Sequence, residues 1–297
     1  MTYIIDRVRL NVNGEWKNTS LLVDREKILA VKPEFKQYRY MKMAANPFYM
    51  TPSYVFYTDG LPEIKSGDEY KNFFARNFLQ KGCTFLIVGL RFTKISRLDE
   101  IVEQARKFLR KSPLDYTFAL QVPAKNLSVP LVRKTKRLKI PALLIEFKDV
   151  VELERIPWGW VREALFPYNS PLIPLPADDA QADMLLAAWD MIVTEEKIPH
   201  VKQTLPEHKP VPFEVLKKTG IYPKKGYLHP GGELSYNLYW SKQHDTAGKE
   251  EDADHILQEN NIVVTVHKGK LVRVLQKIFY REAFGEELLI NRPAFFQ

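Results

Sequence analysis

LDYTFALQVPAKNLSVPLVRKTKRLKIPALLIEF, residues 114–147, contains the clearest indication of how this chain folds. It begins with an apolar run of strand length at 114–122 and ends with a second such run at 140–147. The intervening segment predicts a helix near 127–138. A strand, a helix and a second strand in this order are typical of a βαβ unit, in which the two strands run parallel.

The same alternation continues in both directions from this stretch. Ser66 and Glu69 have the spacing of a capping box and predict a helix that extends to about residue 81. The other predicted elements are strands at 52–58, 83–89 and 170–176 and helices at 98–111, 158–166 and 178–197. Together they make five βα units, so the fold class is α/β with a parallel sheet.

Both ends of the chain are rich in predicted strands instead. A connection with four prolines (Pro199, Pro206, Pro210 and Pro212) and a short predicted helix at 212–219 separate the βα units from the second of these regions. The strands are predicted at 3–10, 20–24, 27–31, 226–230, 233–240, 261–269 and 270–276.

The composition excludes several classes of protein. The 297 residues include 17 Phe, 14 Tyr and 5 Trp, which excludes disorder for most of the chain. The single cysteine, Cys83, excludes a disulfide framework and a cysteine-rich zinc site. The sequence contains no run of about 18 apolar residues, so it predicts no membrane span. The N-terminal segment carries Asp6, Arg7 and Arg9 and does not resemble a signal peptide, so we expect a cytoplasmic protein.

The net charge of +8 is concentrated in one segment. Residues 106–139 contain ten lysines and arginines against one acidic residue, Asp115. Such a segment could bind nucleic acid or an acidic partner, but helices that end in basic residues have the same composition. Because Phe108 is the only aromatic residue among the basic clusters, whereas a base-stacking surface needs several, nucleic acid is the less favoured partner.

Several segments, in the correct order, resemble the cyclic-amidohydrolase family of dihydroorotases and hydantoinases (dihydropyrimidinases). The most specific is TGIYPKKGYLHPGGELSYNLYW at 219–240, whose YPKKG element is similar to the family's return from the barrel to a small β-domain. MTPSYVFYTDGLPE (50–63) resembles the family's first barrel strand, and KGCTF (81–85) resembles its strand-two motif. Weaker similarities occur in the segments 21–33, 115–121, 137–147 and 261–272.

This resemblance implies a (β/α) TIM-like barrel beside a small β-sandwich built from both chain termini. It divides the chain into a composite β-sandwich domain, residues 1–50 and 221–297, and a barrel domain, residues 51–220. The barrel domain has only about 170 residues, whereas a complete barrel needs about 250. We therefore expect an incomplete barrel of about five βα units. Its unpaired sheet edge is expected to be covered by the connection, the C-terminal tail, a second copy or a protein partner.

The resemblance also implies a centre of one or two divalent metal ions that activate water, held by histidines, a carboxylated lysine and an aspartate at strand ends. In an ungapped alignment from Pro52, the first two histidine positions fall on Thr58 and Gly60. The lysine position falls near Leu144 and the strand-five histidine on Pro176. None of these residues replaces the expected ligand, and no segment matches strands six or eight. The sequence therefore predicts no metal site and no cofactor.

Polar residues at the carboxyl ends of the strands are the candidate site residues, because active sites of βα barrels lie there. Asp59, Glu146 and Asp178 are the candidate acid–base catalysts, although carboxylates at such positions also cap helices. His200 and His208, beside Glu207 in the connection, could hold a metal but more commonly are solvated. The candidate binding residues are Thr58, Glu63, Arg91, Gln121, Lys148 and Asp179.

Three functions follow from these observations. The favoured one is an amidohydrolase-like protein that has lost its metal centre and serves a non-catalytic binding or scaffolding role. The second is a hydrolase of C–N bonds in cyclic amides with a rearranged or metal-free site. The third is binding of nucleic acid or an acidic partner through residues 106–139.

Overall fold

The computed structural model describes residues 1–12, 14–177, 179–240, 257 and 261–293. These residues form two compact units. Unit 1 comprises residues 1–55, 64–85 and 223–281, and unit 2 comprises residues 56–63, 86–222 and those after 281. Relative to the domain limits expected from sequence, unit 1 also includes residues 51–55 and 64–85, whereas residues 221–222 and the C-terminal tail belong to unit 2. Asp178 lies outside the described residues.

The described residues form fourteen strands and seven α-helices. The strands are β1 Thr2–Val12, β2 Glu15–Asp24, β3 Lys27–Lys32, β4 Met41–Ala44, β5 Phe48–Pro52, β6 Tyr54–Thr58, β7 Cys83–Leu90, β8 Asp115–Pro123, β9 Leu143–Phe147, β10 Leu172–Pro176, β11 Tyr236–Trp240, β12 Ile262–His267, β13 Lys270–Val274 and β14 Lys277–Ile278. The helices are α1 Gly67–Asn77, α2 Leu98–Leu109, α3 Val129–Arg137, α4 Val150–Glu154, α5 Trp158–Leu165, α6 Ala182–Glu195 and α7 Phe213–Thr219.

The strands of unit 1 form one mixed sheet from both ends of the chain. Its order is β14-β13-β12-β11-β5-β1-β2-β3, with β4 paired to β1. The N- and C-terminal segments meet where β5 and β11 run antiparallel, with Met50 opposite Leu238. Ile5, Met50 and Leu238 belong to one buried apolar cluster, so the two segments share a core. The predicted composite β-rich region is thereby confirmed.

Strands β6 to β10 form a five-stranded parallel sheet in chain order. Strand β7 is buried along its whole length and β8 along all but its last residue. Burial on both faces explains why their sequences are continuous apolar runs instead of alternating ones. Helices α1, α2 and α3, and then the pair α4 and α5, connect successive strands, and α6 follows β10. The predicted incomplete barrel of five βα units is therefore confirmed.

The proline-rich connection lies along both outer strands of this sheet. At one edge, the amide of Leu172 in β10 donates to Pro199 O and Leu172 O accepts from the amide of Val201, both at 2.8 Å. At the other edge, the amide of His208 donates to Tyr57 O in β6 at 2.9 Å, and Phe56 forms a bridge with Pro210. The connection thus supplies hydrogen-bond partners to both edges of the sheet. It is one of the segments that were expected to cover an unpaired edge.

The C-terminal tail runs beside the start of β8. The amide of Tyr116 donates to Glu286 O at 3.0 Å, and Tyr116 O accepts from the amide of Leu288 at 2.7 Å. Arg106 in α2 donates through Nε and Nη2 to both carboxylate oxygens of Glu287, at 2.8 and 2.9 Å. This two-point geometry matches the fork of a guanidinium to a carboxylate.

Some predicted elements were wrong in detail. Residues 226–230 form no strand, because Pro230 lacks an amide hydrogen and Gly226 adopts positive φ. The helix predicted from 178 begins at Ala182, after a 3-10 turn. The short helix α4, capped by the Asp149 side chain, was not predicted. None of the helices in the described part of the chain has the length and apolar composition of a membrane span.

Candidate functional site at the strand ends

Four side chains form a hydrogen-bonded network at the carboxyl ends of β6, β7 and β8. Gln121 of β8 donates through Nε2 to Tyr57 Oη of β6 at 2.8 Å and also to Asp59 Oδ1. Arg91, which follows β7, donates through Nε to Gln121 Oε1 at 2.6 Å and through Nη2 to Asp59 Oδ2 at 2.7 Å. The network thus brings together three residues that the sequence singled out, Asp59, Arg91 and Gln121, and adds Tyr57.

A glycine in the intervening strand makes this network possible. Gly89 lies in β7, between the strands that carry Tyr57 and Gln121. A methyl group on Gly89 would lie only 2.7 Å from Tyr57 Oη and 3.0 Å from Gln121 Nε2. The absence of a side chain therefore leaves the space in which the hydroxyl and the amide meet across the strand.

Each polar atom of the Gln121 side chain forms a hydrogen bond in this arrangement. Both amide hydrogens are directed to oxygens, and its carbonyl oxygen accepts from a guanidinium. If the oxygen and nitrogen of the amide were exchanged, its NH2 group would face the guanidinium of Arg91, which is also a donor. The hydrogen-bond partners therefore fix the orientation of the Gln121 amide. Because Gln121 and Tyr57 are each 3% exposed, loss of either partner would leave a buried polar atom without its bond.

The connection adds a second group of polar side chains to the same strand ends. Glu207 Oε1 accepts from the backbone amide of Asp59 at 3.3 Å. His208 Nε2 lies 3.2 Å from the hydroxyl of Thr58 and 3.6 Å from Glu207 Oε1. His208 has a φ of 52°, a left-handed conformation that is uncommon for a residue other than glycine. This strained position sets the imidazole beside the end of β6.

Burial and charge act in the same direction on Tyr57. Removal from water raises the pKa of its phenol well above the ordinary value, and the negative charge of Asp59 raises this pKa further. The hydrogen bond from Gln121 opposes these effects and is the smaller influence. Tyr57 is therefore a neutral hydrogen-bonding group at physiological pH.

The described contacts of Thr58, Glu207 and His208 differ from those of a nucleophile–base–acid relay. Such a relay needs the nucleophile on one imidazole nitrogen and the orienting carboxylate on the other. The short distances from His208 to Thr58 and to Glu207 both involve Nε2. Both carboxylate oxygens of Asp59 already accept from Arg91 and Gln121. The arrangement instead holds the ends of three strands and the connection together.

Among the described residues, Glu63, Glu146 and Lys148 make no hydrogen bond to this network. Glu63 is exposed in the loop after β6. Glu146 is the one exposed residue of β9. The exposed Lys148 contributes its backbone amide, which donates to Glu152 in the first turn of α4. Asp179 lies in the 3-10 turn before α6, but its side chain lies outside the described part, as does all of Asp178.

Sequence reasoning missed Tyr57 and Gly89 as parts of this site. Both lie within apolar runs that predict strands, and nothing in a single strand shows what lies opposite. The connection residues Glu207 and His208 were noticed for their chemistry, but their position on β6 is a tertiary contact. A glycine inside an otherwise apolar strand is the one local signal that could have indicated a close cross-strand approach.

The basic segment 106–139 is largely engaged in contacts within unit 2. Lys111 pairs with Glu282 at 3.0 Å, and Lys134 and Arg137 both face Asp99. Lys136 donates to two backbone carbonyl oxygens, and Lys139 lies over the ring of Tyr168. With Arg106, six of its ten cations have contacts within unit 2, and of these Lys111 and Arg137 each remain 69% exposed.

The two sheets, a parallel five-stranded β/α sheet and a mixed sheet built from both ends of the chain, have the architecture of the hydantoinase fold. No family model and no curated protein sequence matches the chain. The likeness is in the structure, and at the identities found it establishes the fold alone.

Three solved structures show this likeness. The chain aligns with a D-hydantoinase at a TM-score of 0.66 and 11% identity, and with dihydropyrimidinase from Brevibacillus agri NCHU1002 at 0.63 and 11%; each alignment covers 100% of both chains. L-hydantoinase (dihydropyrimidinase) from Arthrobacter aurescens aligns at 0.60 and 10%, over 98% of this chain and 100% of the other. The resemblance read from the sequence motifs is thus confirmed at the level of the fold.

The residues at the expected metal-ligand positions do not fit a metal centre of the family type. Thr58 offers a buried hydroxyl and Gly60 offers no side chain. Leu144 is buried in β9, in register with Gln121 of β8. Among the described residues, the ligand atoms of Asp59, Glu207 and His208 do not form a group within 4.8 Å of one another. We therefore derive no catalytic step through a metal ion.

Proposed function

We propose that this protein is a non-catalytic relative of the hydantoinase fold that serves a binding or scaffolding role. The observation that carries the proposal is the set of residues at the carboxyl ends of the parallel strands. Where the fold family places metal ligands, this chain has a hydroxyl, a glycine and an aliphatic side chain, and a hydrogen-bonded network links the ends of β6, β7 and β8.

The network itself supports a structural role for these residues. Asp59 is the best placed carboxylate, and each of its oxygens accepts one hydrogen bond, from Arg91 or from Gln121. These bonds hold the carboxylate at the strand ends, whereas a general base must also direct a free lone pair toward a substrate proton. Since Arg91 is 71% exposed and Asp59 33% exposed, their ion pair contributes only about 0–1 kcal/mol. The buried hydrogen bonds of Gln121 and Tyr57 are the stronger part of the network.

Metal analysis of the purified full-length chain, combined with a hydrolysis screen, tests this proposal. We expect well under one divalent ion per chain after dialysis against added Zn²⁺, Mn²⁺ or Co²⁺. We also expect no turnover of hydantoins, dihydropyrimidines or dihydroorotate above the buffer rate. One or two tightly held ions per chain together with turnover would overturn the proposal.

A metal-free hydrolase is the rival outcome of the same screen. It would show turnover without bound metal, and Asp59→Asn would abolish that activity. Asp68→Asn is the matched control, because it makes the same change at an exposed carboxylate that is not a candidate site residue. Turnover that both variants retain would point instead to Glu146 or Asp178 as the base.

A further inference from the structure

A second surface, in unit 1, has the chemistry of an interaction site. Residues 32–43, the tyrosine segment, have the sequence KPEFKQYRYMKM. All of them except Phe35 are exposed. The segment contains four basic residues and one acidic residue, together with two exposed tyrosines, so cations and aromatic rings alternate along it.

The tyrosine segment is held in place at three points. Phe35 is 1% exposed and packs with Ile4 of β1 and Leu22 of β2. Before it, the hydroxyl of Ser20 donates to Pro33 O at 3.3 Å. After it, β4 pairs in parallel with β1. The segment is therefore fixed to the sheet before any partner arrives, which reduces the entropy cost of binding.

The aromatic rings form a short exposed row on this anchor. The ring of Tyr38 meets buried Phe35 edge-on, with centroids 5.2 Å apart. The ring of Tyr40 lies 6.1 Å from that of Tyr38, at an interplanar angle of 31°. Tyr38 and Tyr40 remain 40% and 46% exposed. Two solvent-facing rings at this spacing offer stacking surfaces for flat ligands.

The charges around the rings favour an anionic partner. Lys32, Arg39 and Lys42 have exposed side chains, and Lys36 lies 3.4 Å from Glu34, the one acidic residue of the segment. The like charges oppose pairing of β4 with β4 of a second copy, which is how natural edge strands resist self-association. An acidic polypeptide would match the charge but carries flat rings only at its occasional aromatic residues, whereas every nucleotide of a nucleic acid pairs a phosphate with a base. A nucleic acid strand supplies both phosphates and bases.

We infer that the tyrosine segment is a binding surface for single-stranded nucleic acid, with Tyr38 and Tyr40 stacking on bases and Arg39 and Lys42 contacting phosphates. This surface is distinct from residues 106–139, where many of the basic side chains are engaged within unit 2. It is also independent of the strand-end network, since its test measures neither metal nor hydrolysis.

Fluorescence anisotropy with the full chain and a labelled single-stranded oligonucleotide of about 12 nucleotides tests the inference. We expect binding at about 50 mM salt that weakens steeply as salt increases. Tyr38→Ala combined with Tyr40→Ala should weaken binding at least about tenfold. Arg39→Gln combined with Lys42→Gln should weaken binding and reduce the slope of log affinity against log salt by about 1.4.

Two matched controls locate the effect. Lys107→Gln with Arg110→Gln removes two exposed cations of the 106–139 segment, and Trp160→Ala removes an exposed ring elsewhere; both should bind as the unaltered chain does. The inference is overturned if no binding occurs at low salt, or if the tyrosine variant binds normally. It is also overturned if polyglutamate competes as well as the oligonucleotide, or if the Lys107 and Arg110 control weakens binding equally.

Discussion

Gly89 shows how a single missing side chain shapes the candidate site. It lies between Tyr57 and Gln121, whose polar atoms occupy the space that a β-carbon would take. The side chains of Tyr57 and Gln121 are both buried, so neither can move away from Gly89 into solvent. The position therefore couples the packing of β7 to the polar network at the strand ends.

Substitution of Gly89 by alanine should be destabilising for this reason. We expect Gly89→Ala to lower the free energy of unfolding by about 1–3 kcal/mol, because the new methyl group displaces Tyr57 or Gln121. Urea denaturation followed by circular dichroism measures the change. Gly159→Ala is the control, since its β-carbon would meet nothing within 4 Å in helix α5 and alanine suits a helix better than glycine. Equal effects of the two substitutions would contradict this interpretation.

The connection is the element that compensates for the missing βα units. A parallel sheet of five strands has two outer strands with unpaired backbone groups, and such edges invite aggregation. Residues 199–201 bind β10 and residues 207–210 bind β6, so one extended segment serves both edges. Prolines suit this segment because it needs few amide donors and an extended backbone.

His208 provides a test of this backbone contact that separates it from side-chain chemistry. His208→Pro removes the amide that donates to Tyr57 O and forbids the positive φ, so we expect a loss of about 2–3 kcal/mol of unfolding free energy. His208→Gly keeps both the amide and the conformation and should change stability by less than about 1 kcal/mol. Chemical denaturation of both variants measures the two changes in unfolding free energy. Equal losses in the two variants would show that the imidazole, which both lack, and not the backbone amide makes the stabilising contact.

At the scale of the whole molecule, burial of tyrosines predicts how stability depends on pH. Burial raises the pKa of Tyr57, Tyr168, Tyr236 and Tyr239 well above the ordinary value. The unfolded chain releases these phenolic protons near pH 10, whereas the folded chain retains them. The stabilising contribution is therefore complete below about pH 10 and decreases as the pH rises further.

Tyr57→Phe isolates one of these contributions. Between about pH 10 and 11 we expect the free energy of unfolding of this variant to fall less steeply than that of the unaltered chain, by up to about 1.4 kcal/mol per pH unit. Urea denaturation across this range measures both slopes. Between about pH 6 and 8 the difference between the two proteins should be constant, which serves as the internal control. Parallel curves up to pH 11 would show that the Tyr57 phenol ionises in the folded protein.

The βα repeat, the β-rich ends and the resemblance in fold were readable from the amino-acid sequence, because hydrophobic periodicity and capping are local properties. The sequence also identified Asp59, Arg91 and Gln121, because polar residues that follow buried strands can be recognised along the chain. The folded structure was needed to show that these three form one network with Tyr57 across Gly89, and that the connection binds both sheet edges. It also placed Tyr38 and Tyr40 on an exposed, anchored segment. Such pairings join residues distant in the chain, and the hydrogen bonds and burial that select them exist only after the strands have assembled.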